Sequence, residues 1–187
     1  MSRDGLRASR DAFALRGYTR RMSFEPGSRR AGRGFVVQAG EGPLLELPGW
    51  TYRIKVAASD TAGALTVLEG EMAPGHRGPL EHLHTGHDEA FFVLSGAMRF
   101  RVGNERRKVT VGETVFASRG LAHGFANDGA EPVRYLAMLS PSGYESYFER
   151  LAALIRAHGS MPDREVLLQL MAEHGTFPVN PVDAGAG

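Results

Sequence analysis

Short apolar segments separated by turn residues fill most of the chain, and this pattern constrains the fold more than any other feature. The segments span residues 35–38, 44–47, 50–57, 64–72, 90–96, 97–109, 114–118, 122–127 and 132–140. Several segments alternate, so that Tyr52 and Ile54 share one strand face while Arg53 lies on the other. Many short strands at this spacing are typical of a sandwich or barrel. We therefore predict an all-β core over residues 34–141.

The two ends of the chain follow other patterns. Beyond residue 142, apolar residues recur at helical spacing in two stretches, and Gly159 and Gly175 stand where these helices would end. We predict a C-terminal extension of amphipathic helices over residues 142–187, packed on the barrel. The core-facing side of the second helix would consist of Val166, Leu167, Leu170 and Met171. Residues 1–33 are rich in arginine and glycine and predict a basic N-terminal arm, with a short helix around 12–17.

Composition removes several kinds of chemistry. The 187 residues include no cysteine, which excludes disulfides, thiolate metal ligands and cysteine nucleophiles. Any metal must therefore be held by histidine or carboxylate side chains. The sequence also has no Walker loop, no G-x-G-x-x-G and no G-x-S-x-G motif, so phosphoryl and acyl transfer lack their usual residues.

Charge and hydropathy give expectations about partners and location. The net charge of +1 argues against nucleic-acid binding, and we interpret the basic arm as a solvated or subunit-packing segment. No apolar stretch is long enough for a membrane span, and the basic N-terminus lacks the apolar centre of a secretory signal. We expect a cytoplasmic protein with no membrane partner. Strand edges that need protection favour a homodimer.

The chemically informative segment is EHLHTGHDEAFFVLSG, residues 81–96. His82 and His84 are two positions apart, so on a strand both imidazoles point to the same face. Glu89 follows after a turn, and His123 is the candidate for a fourth ligand from elsewhere in the chain. Three imidazoles and one carboxylate suit a divalent transition metal. With a dication this set carries a formal charge of +1, which favours an anionic ligand.

The same residues resemble two signatures of the cupin superfamily. The first signature has H-x-H, a gap of three or four residues, Glu, six residues and Gly, which matches His82, His84, Glu89 and Gly96. The second signature is matched by Gly112, Gly120, His123 and Asn127. Two positions depart from the family: Ser118 stands in place of a proline and His76 in place of a glycine. We interpret His76 and the additional His87 as surface loop residues.

This resemblance implies a double-stranded β-helix, the cupin jelly roll, with one metal ion per chain. The ion would be Fe, Mn, Ni, Co, Cu or Zn, held by His82, His84, Glu89 and His123. The helical tail is similar to that of single-domain cupins, some of them quercetin-dioxygenase-like. A dioxygenase-type oxidoreductase acting on a small aromatic or enolisable metabolite, anionic or phenolic, is the function this resemblance favours. Glu89 would be the catalytic residue as well as a ligand.

Two other functions stay open at this point. One is a non-redox metal enzyme, an isomerase, cyclase or decarboxylase, in which the ion acts as a Lewis acid. The other is a small-molecule-binding protein without turnover. For the substrate pocket we expect five apolar residues, namely Phe91, Val93, Met98, Phe100 and Phe125. Strand parity supports three of them, because Phe91 and Val93 share a face with Glu89 and Phe125 shares one with His123.

Overall fold

A computed structural model describes residues 34–179, so the predicted basic arm of residues 1–33 and the last residues of the extension lie outside them. The strands are β1 (Leu44–Leu47), β2 (Trp50–Val56), β3 (Thr66–Met72), β4 (His82–His84), β5 (Asp88–Ser95), β6 (Ala97–Val102), β7 (Glu105–Thr110), β8 (Thr114–Ala117), β9 (His123–Ala126), β10 (Val133–Ser140) and β11 (Thr176–Pro178). The helices are α1 (Glu145–His158), α2 (Arg164–Glu173) and a short 3-10 helix at Ala58–Asp60.

The strands form two antiparallel sheets. The six-stranded sheet has the order β1-β2-β3-β10-β5-β8, and the five-stranded sheet has the order β11-β4-β9-β6-β7. Strands distant in sequence lie next to each other, since β10 pairs with both β3 and β5. This two-sheet arrangement with two C-terminal helices confirms the predicted all-β jelly-roll core with helices after it.

Alternation along the strands builds the core between the sheets. Buried residues occur at every second position in β3, β10 and most of β5, as a strand with one face on the core requires. The most deeply buried side chains are Tyr52, Leu68, Met72, Phe91, Val93, Met98, Phe100, Val133, Tyr135 and Leu139. Gly70 makes room for one of them, because a Cβ there would lie 2.4 Å from a ring carbon of Tyr135.

The helices cover one side of the sandwich. α1 packs on β1, and α2 packs on β11 and on α1. α1 ends at Gly159, which adopts a left-handed φ of 73° and donates its N–H to the carbonyl of Ile155. Within residues 34–179, neither helix has the length and apolar character that crossing a membrane would require.

Two expectations about the elements were wrong, and one strand was not expected. Residues 35–38 form no strand, because their backbone joins neither sheet. β11 was not predicted at all. Val166, expected on the core-facing side of α2, is 44% exposed, whereas Leu170 and Met171 are buried as expected.

Candidate metal centre

The four predicted ligand residues come from three strands of the two sheets. His82 and His84 occupy the ends of β4, and both side chains are buried on the inner face. His123 begins β9 and is paired directly opposite His82. Glu89 is the second residue of β5, in the facing sheet, and is 4% exposed. The structure therefore brings all four side chains together in the interior.

The spacing of the ligand atoms fits one metal ion. His82 Nε2 and His84 Nε2 are 3.1 Å apart. The Oε2 atom of Glu89 lies 3.4 Å from His84 Nε2 and 3.2 Å from His123 Nε2. Donor atoms about 2.1 Å from a common ion are about 3.0 Å apart in octahedral and about 3.4 Å apart in tetrahedral coordination. The buried cluster could thus hold a metal ion.

The outer nitrogen of each imidazole has its own partner. His82 Nδ1 donates to the carbonyl of Leu80 at 2.6 Å, and His123 Nδ1 donates to the carbonyl of Leu121 at 3.0 Å. A carbonyl can only accept, so these contacts place the proton of each neutral ring on Nδ1. The Nε2 lone pairs then face the centre of the cluster, which is the tautomer that a metal ligand needs.

His84 is oriented by the C-terminal extension. Thr176 in β11 donates its hydroxyl proton to Tyr144 at 2.9 Å, so its oxygen accepts from His84 Nδ1 at 2.8 Å. No sequence pattern indicates this role of Thr176, because it lies 92 residues after His84 and follows a helix that the pattern marks only as core-facing.

Ionisation within the metal-free cluster follows from burial and contacts. Burial opposes the charged form of Glu89, but the adjacent His123 and His84 side chains outweigh it and hold the pKa of this carboxyl well below its ordinary value. Burial and the neighbouring imidazoles lower the pKa of His82 to about 3. Burial lowers the pKa of His123 but the Glu89 carboxylate outweighs it and raises that pKa overall. An ionised carboxylate beside at least one neutral imidazole is a suitable donor set for a cation.

Of the two additional histidines, His87 is not a surface residue, and His76 is a partly exposed loop residue. His87 is 5% exposed and lies against the rings of His84 and Tyr144, at centroid distances of 4.1 and 4.6 Å. His76 is half-buried in the wall of the cavity described next. The expectation was wrong for His87 because the ring of Tyr144, directly before α1, packs against it, and sequence patterns carry no information about that packing.

A cavity of about 390 Å³ opens beside His82, His84 and Glu89. Its wall is largely aromatic and includes Trp50, Tyr52, His76, Phe125, Tyr144, Tyr147 and Phe148. The helical part of the chain adds Leu151, Met161, Leu167 and Met171. The extension was given a structural role from its pattern, yet it supplies much of this wall.

Of the five predicted pocket residues, Phe125 lines this cavity and the other four do not. Phe91, Val93, Met98 and Phe100 are at most 2% exposed and belong to the hydrophobic core. Strand parity correctly placed Phe91 and Val93 on the inner face, but all four lie further along β5 and β6, where the two sheets pack on each other. The alternation of residues along a strand shows which face a side chain is on, but it does not show how far along the strand the cavity lies.

The remaining residues of the two signatures shape the loops around the cluster. Asn127 Nδ2 donates to the carbonyls of Met72, Ala73 and Glu131 and so ties the end of β9 to the end of β3. The loop without the family's proline closes through the N–H of Leu121, which donates to the carbonyl of Ser118 at 3.0 Å. These contacts hold the loop before His123 in place.

Comparison with known families agrees with this geometry. Residues 66–139, which carry all four ligand residues, match the cupin domain family. The chain contains a cupin domain. The cupin domain runs from the first residue of β3 almost to the end of β10, so both C-terminal helices lie outside the matched region.

Two curated relatives resemble the cupin domain and its surroundings. Quercetin 2,3-dioxygenase of Bacillus subtilis (strain 168) is 25% identical over 124 residues, which are 66% of this chain and 36% of that protein. The tetracenomycin polyketide synthase protein TcmJ of Streptomyces glaucescens is 32% identical over 71 residues, 38% of this chain and 47% of that protein. The chain thus spans between about a third and a half of the length of these relatives.

Solved structures share the fold. KdgF from Halomonas sp. superposes with a TM-score of 0.54 at 20% identity, over 60% of this chain and 98% of that one. The polyketide cyclase RemF from Streptomyces resistomycificus superposes with a TM-score of 0.51 at 22% identity, over 57% of this chain and 79% of that one. At these identities the likeness shows the fold alone.

Proposed function

We propose that the cupin domain binds one divalent transition-metal ion through His82, His84, Glu89 and His123 and acts as a dioxygenase-type oxidoreductase. Its substrate would be a small aromatic or enolisable molecule bound as an anion. The observation that carries this proposal is the convergence of three Nε2 atoms and one carboxylate oxygen on a single point beside an aromatic cavity. The similarity to a quercetin 2,3-dioxygenase over two thirds of the chain supports the reaction type.

The cavity wall supports the substrate class. Among the described residues that line it there is no lysine or arginine, so no side chain there is suited to a phosphate or a second carboxylate. Aromatic and aliphatic side chains instead favour a flat apolar molecule and exclude water. The single negative charge that the +1 site favours would then be a phenolate or an enolate.

The metal centre and Glu89 would together bind and deprotonate the substrate hydroxyl. A bound ion would supply a positive centre for the ionised oxygen and, if redox-active, electron exchange with dioxygen. Glu89 is ionised and can accept the proton that the substrate hydroxyl loses. The hydroxyl that gives up this proton should itself be acidic, as those of phenols and enols are.

A non-redox metal enzyme is the second candidate. The 32% identical Streptomyces relative is named as a polyketide synthase protein, which favours an aromatic or polyketide substrate without requiring dioxygen. Such an enzyme would use the same four ligands and the same cavity, with the ion stabilising an enolate. A binding protein without turnover stays the third possibility.

Metal content tests the site. Protein purified without added metal should contain close to one transition-metal ion per chain by elemental analysis, and His82→Ala and His123→Ala should lose it. His158→Ala is the matched control, because His158 is exposed near the end of α1 and should not affect metal content. Full metal content in both site variants would contradict the assignment.

Oxygen consumption then separates the candidate functions. Protein loaded with iron, manganese, nickel, cobalt or copper should consume dioxygen with at least one member of a panel of flavonols, catechols and β-diketones. No consumption with any loaded form would contradict the dioxygenase. Conversion of a panel compound under nitrogen, followed by chromatography, would instead support the non-redox enzyme.

A further inference from the structure

A buried hydrogen-bond chain ends at the cavity. The indole Nε1 of Trp50 donates to the hydroxyl of Tyr135 at 2.7 Å, and the hydroxyl of Tyr135 lies 3.1 Å from the hydroxyl of Tyr52. Tyr135 is fully buried and Tyr52 is 1% exposed. Tyr52 and Trp50 line the cavity, whereas Tyr135 lies behind them in the core.

Burial determines which group donates and which accepts in each of these hydrogen bonds. The indole N–H is a donor only, so the oxygen of Tyr135 accepts from Trp50. The hydroxyl proton of Tyr135 then needs an acceptor, because an unpaired O–H in the core would be destabilising. Within residues 34–179 its one acceptor is the oxygen of Tyr52. Tyr135 therefore donates to Tyr52, and the reverse direction would leave the Tyr135 proton without a partner.

The hydroxyl proton of Tyr52 has no acceptor among the described residues of this hydrogen-bond network. Across the described part of the chain, no backbone or side-chain atom accepts a hydrogen bond from it. A phenol proton lies in the plane of its ring, and the incoming bond from Tyr135 occupies one of the two in-plane positions. The other position remains for an acceptor that the described residues do not provide. Tyr52 lines the cavity that also contains Glu89, so a bound ligand is the acceptor within reach.

Aromatic packing holds the Tyr52 ring in this position. The ring lies between Trp50 and Phe148, with centroid distances of 4.9 and 4.5 Å, and Tyr135 meets it edge-on at 6.0 Å. Burial raises the pKa of Tyr52 well above its ordinary value, so the phenol remains protonated. A rigid, protonated phenol is an effective hydrogen-bond donor because little conformational freedom is lost on binding.

We propose that Tyr52 is a specificity-determining residue that donates a hydrogen bond from its phenol O–H to a second oxygen of the bound molecule. The inference rests on the proposed function, since the first oxygen is the ionised one at the metal centre. The ligand class is therefore a phenol or enol that carries a carbonyl oxygen beside its acidic hydroxyl. A phenol without that carbonyl would leave the Tyr52 proton unpaired in a water-poor cavity.

The test uses two probes that differ in this carbonyl, 1-naphthol and 2-acetyl-1-naphthol. The full-length protein is loaded with zinc, which is redox-inert and leaves the probes intact, and its zinc content is measured first. Titration calorimetry then gives the ratio of the two dissociation constants for the parent protein and for Tyr52→Phe. Chelation of the metal by the carbonyl contributes equally to both proteins, so the change in the ratio reports the contact with position 52.

We expect Tyr52→Phe to reduce the preference for the acetyl compound by about threefold to tenfold. Tyr135→Phe retains the Tyr52 hydroxyl and should keep the preference within about twofold of the parent. The double variant Tyr52→Phe/Tyr135→Phe removes both hydroxyls and leaves the Trp50 indole N–H as the unpaired donor in place of the Tyr135 hydroxyl, so it is an independent check on Tyr52→Phe. It should lose the preference as Tyr52→Phe does.

The outcomes are distinct. An unchanged preference in Tyr52→Phe and in the double variant overturns the role of Tyr52. An equal loss in Tyr135→Phe also overturns it, because the effect would then come from disturbance of the core. Failure of the parent protein to take up zinc contradicts the proposed metal centre itself, and this result is visible before any probe is added.

Discussion

The hydrogen bond between Thr176 and His84 connects an edge strand, β11, to the candidate metal centre and determines which nitrogen of His84 faces that centre. The Thr176 oxygen accepts from His84 Nδ1 and thereby keeps the Nε2 lone pair directed at the cluster. Thr176→Val keeps the shape and removes the acceptor. We expect metal affinity to fall by about 10- to 100-fold, measured by competition with a chromophoric chelator. Thr114→Val, at an exposed position of β8, is the control and should leave the affinity unchanged.

Residue ionisation gives a pH dependence for the metal-free protein. The folded-state pKa of His82 is lowered to about 3, by burial and neighbouring histidines, and that of His87 to about 4, chiefly by burial. The unfolded chain protonates both near pH 6.5, so the free energy of unfolding decreases as the pH falls from about 6.5 towards 4. The slope is about 1.4 kcal/mol per pH unit for each group.

His123 and Glu89 do not contribute to the change in unfolding free energy between pH 6.5 and 4.5. The pKa of His123 is raised, so its contribution is fully present below pH 6.5 and does not change there. The pKa of Glu89 is lowered, so its contribution is lost only below about pH 4.3. Urea unfolding between pH 6.5 and 4.5 should therefore show a shallower slope for His87→Phe. A parent-like slope in this variant, or an equal reduction in His158→Phe, would contradict the prediction.

At the scale of elements, local pattern predicted the strands well and failed where pairing was decided by distant residues. β2, β3 and β10 alternate because one face meets the core, and their periodicity was readable. β11 has three residues and forms because β4 offers an edge to it, which no pattern within residues 176–178 reveals. Residues 35–38 have an apolar run, yet they belong to neither of the two sheets formed by residues 34–179. A strand is defined by pairing, and pairing is a property of the whole fold.

The start of α1 is fixed by a buried carboxylate. Glu145 accepts from the N–H of Ala58 at 2.6 Å, the hydroxyl of Thr66 at 2.5 Å and the N–H of Gly143 at 2.9 Å. Glu145→Ala leaves these donors without their acceptor. We expect a loss of about 2–4 kcal/mol in the free energy of unfolding, measured by urea denaturation.

The control for this prediction lies on the same helix. Glu149 is exposed one turn further along α1, and Glu149→Ala should change stability by less than about 0.5 kcal/mol. Because α1 supplies Tyr147 and Phe148 to the cavity and Tyr144 lies directly before it, Glu145→Ala should also weaken the binding of aromatic probes. Equal stability losses in the two variants would argue against a special role for Glu145.

At the scale of the whole molecule, the sequence predicted which ligand side chains would meet and missed much of what surrounds them. His82 and His84 share a strand face, and the spacing of the two signatures supplied Glu89 and His123. The cavity depends on how the C-terminal extension packs across the open end of the sandwich. That packing is set by side chains of β1, β2, α1 and α2 together, so no single segment carries its signal.

The candidate metal centre joins the two sheets. Three of its residues, His82, His84 and His123, belong to the five-stranded sheet, and Glu89 belongs to the six-stranded sheet. A bound ion would therefore link the sheets across the core, and because the unfolded chain lacks this arrangement, binding would stabilise the fold. At a free metal concentration a hundredfold above the dissociation constant, the gain is about 2.7 kcal/mol.

This gain should be visible as a higher melting temperature. For a chain of this size we expect an increase of about 5–10 °C on addition of metal to chelator-treated protein, measured by circular dichroism. Glu89→Gln keeps the side-chain volume and removes the charge that faces the histidines, so its increase should be much smaller. His158→Ala should retain the full increase. An equal increase in Glu89→Gln would mean that the metal stabilises the protein elsewhere, because the link between the sheets depends on that carboxylate.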